Sequence, residues 1–121
     1  MLIAIGGALG AMLRYFIGQI AAEHFGPRFP VGTLTINLSA CFLIGLTIGY
    51  LNNHAAVSPA VRFLIAIGFI GSFSTFSTFE FETWSDLTSG AFWTGIAYAV
   101  TSLTGGLMAV AMGSAIARLI A

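Results

Sequence analysis

The sequence contains no lysine, and its charged residues make up only 7% of 121 positions, four basic groups against four acidic. A chain so poor in charge, with a formal net charge of zero, offers no basic surface to a phosphate backbone, which argues against a nucleic-acid partner. A single cysteine, Cys41, cannot close an intrachain disulfide and reads as a small apolar packing residue. Glu23 and His24 fall in the first loop with no further His, Cys or carboxylate at ligand spacing, so a metal site built from such side chains is not expected there. Met1 to Ile20 lacks the basic start of a secretory signal and carries Arg14 where such a segment is apolar, so it is expected to remain in the mature chain.

What the sequence has in abundance is apolar surface, 58% of its residues. About 30 Å of hydrocarbon takes about 20 residues per helix, so the length accommodates roughly four spans and leaves little for anything else. The expected fold is an all-α membrane protein with one four-helix transmembrane domain over 1–121. Its spans fall at about 2–22, 32–51, 60–86 and 92–116, and the third is broken near 71–75.

The break is read from Gly68 to Phe79, where five hydroxyls, two glycines and four phenylalanines interrupt a lipid-soluble segment. Unpaired polar groups cost several kcal/mol each in hydrocarbon, so such a stretch must face protein, water or an ion. Phe73 and Phe76, and Phe76 and Phe79, stand three apart and share a helical face. Aromatic rings carry partial positive charge at their edges, and stacked rings met edge-on solvate a dehydrated anion. Taken alone, a Phe stripe is lipid-facing filler; the interleaved Ser74, Thr75, Ser77 and Thr78 favour a polar path.

In the first span Gly6 and Gly10 form a GxxxG face that admits a close helix neighbour. Arg14 follows, where a charge costs a few kcal/mol and needs a partner, a watery vestibule or a snorkelling path; its emergence from the small-residue side favours a functional cation. In the second span Thr33 and Asn37 share one face, and Gly45 and Gly49 form another GxxxG. Asn37 is interhelical glue or a donor lining an ion path, and Thr33 tips the reading toward a polar track. Ser58-Pro59 reads as an N-cap followed by proline at the first helical position.

Glu80, Glu82 and Asp86 after the break suggest a solvated helix end, and Glu80 and Glu82 point to different faces, a poor acid/base pair. No His or Lys at membrane depth activates the serines of the break, so hydrolysis, and an enzyme in general, is not expected. In the last span Tyr98 and Ser102 lie four apart.

The Lys/Arg bias between the two sides is too small to fix orientation. Small-residue faces on three spans ask for partners, and a homodimer of antiparallel, dual-topology protomers would bring the two breaks together about a two-fold axis in the membrane plane. Carbonyls freed by the breaks would then converge into a cage for a small hard cation.

Three motifs, Gly6-Gly7-Ala8-Leu9-Gly10-Ala11-Met12-Leu13-Arg14-Tyr15, Gly32-Thr33-Leu34-Thr35-Ile36-Asn37 and the Gly68 to Phe79 run, with their spacing over the whole chain, resemble the Fluc-type fluoride channels, or CrcB family. The resemblance implies a fluoride-selective channel in the cell (inner) membrane, an antiparallel dual-topology homodimer with two pores that exports fluoride passively. It implies Phe76 and Phe79 as fluoride-contacting rings, Asn37 as a pore donor, and Thr33, Thr75, Ser77, Thr78 and Ser102 as a hydroxyl track. Tyr98 would stand beside that track, Glu82 would be its carboxylate, and Arg14 would draw anions to a vestibule. A structural sodium ion would sit on main-chain carbonyls of Gly71 and Ser74. The sequence departs from the family in Ser72 for the second glycine of the break, Ser74 for threonine and Ala40 for glycine, and the fourth span is matched only by Tyr98 and Ser102.

The competing function is a small multidrug-resistance-type dual-topology exporter. It needs a membrane-embedded carboxylate, which the first three spans lack at mid-depth on this reading, and an embedded Arg14 favours an anion.

Overall fold

The computed structural model describes residues 1–26, 28–54 and 56–120, and they form an all-helical chain. Helix α1 spans Leu2–Phe25 and α2 spans Val31–Asn53. Helix α3 starts with a turn at Pro59–Val61, continues as π-helix over Arg62–Ile70 and ends in a turn at Gly71–Phe73. Helix α4 is Phe76–Thr88 and α5 is Phe92–Leu119. Four stretches are long and apolar enough to cross a membrane: α1, α2, the Pro59–Thr88 run of α3 and α4, and α5. Most of their large apolar side chains stay exposed, from Leu9 and Phe16 to Leu107 and Met108. That is the surface a lipid solvent requires and water would penalise.

The small-residue faces are used inside the chain. A Cβ added at Gly6 would strike the Leu64 carbonyl, and one at Gly10 the Phe69 carbonyl, so α1 and α3 touch backbone to backbone. In the same way Gly45 meets the Val110 carbonyl and Gly113 the Phe42 carbonyl, joining α2 to α5. The sequence-based argument that these faces call for a second copy is therefore corrected: close van der Waals packing, the main source of helix association in lipid, is obtained within one protomer.

The third span starts as its residues suggest, with Pro59 in the first turn and the Ser58 hydroxyl accepting the Ala60 N–H at 3.3 Å. In its π-helical stretch Gly68 packs closely against Ile3 and Gly6 of α1. The break falls at Ser74 and Thr75, both in extended conformation (φ −72°, ψ 158° and φ −148°, ψ 110°). Gly71 is plain right-handed helix (φ −62°, ψ −32°), so a neighbouring Ser72 is no obstacle; its hydroxyl points to Gly7. Gly90, at φ 93°, turns the chain from α4 into α5, a conformation that L side chains rarely adopt.

Candidate functional site

The break releases backbone groups that hydrocarbon cannot satisfy, and Asn37 of α2 takes up one residue's worth of them. Its Nδ2 donates to the Thr75 carbonyl at 2.9 Å, and its Oδ1 accepts the Thr75 N–H at 2.8 Å. The side chain acts as a substitute strand, holding Thr75 extended where helix geometry is lost. Both partners are main chain, because a broken helix presents a donor and an acceptor side by side. One Nδ2 proton of Asn37 is left over.

Restart of the helix consumes a second N–H. The Thr75 hydroxyl caps α4 by accepting the Thr78 N–H at 3.4 Å, and donates to the Thr78 hydroxyl at 2.9 Å. In an unbroken helix the Thr75 N–H would serve the Gly71 carbonyl and the Thr78 N–H the Ser74 carbonyl. Both donors are diverted, so the carbonyls of Gly71 and Ser74 are deprived of their helical partners. Gly71 is exposed and Ser74 half-buried. Among the described residues no cluster of His, Cys, Asp and Glu could hold a metal.

One turn further into α4, Glu82 joins three elements. Its Oε1 accepts from the Thr33 hydroxyl of α2 at 2.9 Å, and its Oε2 from the Tyr98 hydroxyl of α5 at 2.8 Å. Tyr98 is fully buried and meets Phe79 edge to face, with ring centroids 5.2 Å apart and planes at 68°. Phe29, from the loop between α1 and α2, meets Tyr98 in the same way at 5.6 Å and 77°. Phe76 and Phe79 are neighbours at 5.8 Å, but tilted by 47° rather than stacked. Phe79 is 5% exposed and Phe76 70%. The aromatic pair thus straddles the edge of the protomer, with one ring inside and one on the outer surface.

A cleft of about 610 Å³ lies beside this network, between α1, the start of α2 and α4. It gathers Arg14, Thr33, Thr75, Thr78 and Glu82 from the sequence-selected residues and adds Ser85 and Asp86. The expectation of a solvated helix end is corrected for Glu82 and Asp86, which α4 turns inward; Glu80, on another face, is exposed. Glu82 is half-buried and bonded to two helices. Ser77 is exposed and, like Phe76 and Ser102, does not line the cleft. Ser102 is half-buried on α5, and its hydroxyl has no partner.

Phe29 escaped the sequence reading, and Asp86 entered it only as part of a solvated helix end. Phe29 sits in a proline-flanked loop, where only its aromatic character hinted at packing. The face of Asp86 was legible from its four-residue spacing to Glu82.

The protons left over define what the site can do. Thr33 and Tyr98 spend theirs on Glu82, and Thr75 spends its proton on Thr78. The hydroxyl of Ser102 and the second Nδ2 proton of Asn37 have no acceptor among the described residues. They are donors of the kind a dehydrated anion requires, and the Phe79 and Tyr98 rings add apolar walls that exclude water.

Comparison with known proteins agrees with this organisation. The family model described as CrcB-like protein, Camphor Resistance (CrcB), matches residues 1–114. A protein of Acidobacterium capsulatum named fluoride-specific ion channel FluC is 48% identical over 111 residues, which is 92% of this chain and 89% of the relative. Relatives with the same name from Chloroflexus aurantiacus and Solibacter usitatus are 45% identical over 116 residues and 41% identical over 118. They cover 96% and 98% of this chain, and 92% and 97% of the relatives. Kinship of this extent, through the break and all four apolar spans, makes the chain a member of the CrcB-like family.

Proposed function

We propose that this chain is a fluoride channel, a multi-pass protein of the cell (inner) membrane that lowers cytoplasmic fluoride by passive efflux. It is not an enzyme. The observation that carries the reading is the coincidence of near full-length kinship to proteins named fluoride-specific channels with uncommitted donors and edge-on aromatics beside a broken span. A small multidrug exporter is not favoured: the carboxylate it would need, Glu82, already accepts from two hydroxyls.

On this reading Arg14 draws the anion into the cleft, and Thr78, Asn37, Ser77 and Ser102 replace parts of its water shell. Phe76 and Phe79 offer ring edges, while Thr33, Thr75, Tyr98 and Glu82 hold the track in place. The direct check is efflux from liposomes containing the purified protein, fluoride against chloride. Fluoride is expected to leave quickly and chloride hardly at all, and equal rates would remove the selectivity claim.

The functional unit on this reading is an antiparallel homodimer with two pores and a structural sodium at its centre. Two carbonyls from one protomer, Gly71 and Ser74, are too few for a hard cation, and a second copy related by a two-fold axis doubles them. Exposed Phe76 and Ser77 would be covered by the same copy. Lysines added to the loop between α2 and α3, or instead to that between α1 and α2, should fix protomers in opposite orientations. Each variant alone is expected to leave its host sensitive to fluoride, with resistance restored on co-expression. Resistance conferred by one variant alone, with a single orientation verified by cysteine labelling, would rule out the antiparallel assembly and its shared sodium site.

A further inference from the structure

Arg14 is not the sole charge in the cleft, since Glu82 and Asp86 line it as well. We propose that Asp86 sets the rate at which anions pass through the cleft, its fixed negative charge opposing the attraction of Arg14. The inference rests on the fluoride-channel reading and names a rate-determining residue that the polar track does not include.

Glu82 and Asp86 are one helical turn apart on α4, yet their surroundings differ. Both oxygens of Glu82 accept hydroxyl protons, from Thr33 and Tyr98, and these dipoles offset part of its field toward the cleft. Asp86 has no such donors: its Oδ2 is buried and without a partner. Its Cβ faces α5, where Gly95 packs so closely that a Cβ there would lie 3.1 Å away. Asp86 thus lines the cleft with no hydroxyl to offset its charge, as Thr33 and Tyr98 do for Glu82.

Of the described residues lining the cleft, only Arg14 carries a basic group, against the two carboxylates of α4. An anion approaching Arg14 thus meets one carboxylate softened by two hydroxyls and one that is not. The second is the larger electrostatic barrier, because charge interactions strengthen as water is excluded.

The test compares the full chain with Asp86→Asn, which keeps size and removes charge. In liposomes Asp86→Asn is expected to raise fluoride efflux several-fold at low ionic strength. The gain should collapse at high ionic strength, since the screening length falls from about 30 Å at 0.01 M to about 3 Å at 1 M. Unchanged or slower efflux would overturn the proposal, and so would a gain independent of salt, which would point to altered packing. Fluorine NMR line broadening of free fluoride with detergent-solubilised protein reads occupancy of the cleft without conduction. Broadening should increase in Asp86→Asn at low salt, and its absence would also overturn the proposal. A wild-type protein that broadens the signal but passes no fluoride would fail the channel reading alone.

Discussion

Replacing Asn37 by aspartate is expected to abolish fluoride efflux at neutral pH. Aspartate matches asparagine in shape and can still accept the Thr75 N–H, but it has no proton for the Thr75 carbonyl. Two oxygens bearing lone pairs would then face each other across the 2.9 Å that the hydrogen bond now spans, in a partly buried site. The carboxylate also places a full negative charge beside the path of an anion. Each lost bond is worth about 1 kcal/mol net, and an unsatisfied buried partner costs about 1–3 kcal/mol, so the break should loosen as well as repel. Asn37→Ala separates the two effects. It carries no charge but strips both partners from Thr75, so it should lower the thermal midpoint in detergent and slow efflux without the block that charge imposes. Normal efflux from Asn37→Asp would place the Asn37 amide outside the working path.

Phe79→Ile is expected to slow fluoride efflux strongly while the protein stays folded. Isoleucine keeps much of the apolar volume in the buried position, but it removes the ring that meets Tyr98 edge to face at 5.2 Å. The partial charges of an aromatic edge go with it. The stability cost should stay near the about 1–3 kcal/mol typical of changed shape in a packed core. Phe76→Ile probes something different, because Phe76 is 70% exposed on one protomer. Its loss should slow efflux to a similar degree only where a second copy covers that ring. Unchanged efflux in both variants, with an unaltered elution volume, would make the rings packing elements. A response of Phe79 alone would count against Phe76 as a shared pore wall.

Much of this architecture was legible before any coordinate. Four apolar stretches and the hydroxyl-rich interruption after Gly71 are local properties of the chain, and in lipid each stretch must satisfy its own backbone. The same logic set the break within 71–75, and the structure places it at Ser74 and Thr75, the end of that window. Ser58-Pro59 was readable as a cap followed by proline. Reading stopped wherever a contact crosses between helices. GxxxG faces announced close approach without saying to what, so a second copy was invoked where α3 and α5 of the same protomer serve.

By itself, then, the sequence determined the number of apolar spans, the interruption of the third and the shared helical face of Thr33 and Asn37. These follow from hydrophobic length, helical spacing and the rule that polar groups in hydrocarbon need partners, whereas the roles expected of Phe79 and Glu82 came from the family resemblance. Only the tertiary structure decided what those partners are. Asn37 meets Thr75 across 38 positions of sequence, and Thr33 meets Glu82 across 49. Neither pairing has a local signature, because an amide or a hydroxyl bonds equally well to water, main chain or carboxylate. Packing of α2 against the broken span chose among them, and the same packing turned Asp86 into the cleft, where helix periodicity alone could not say which face of α4 would be covered.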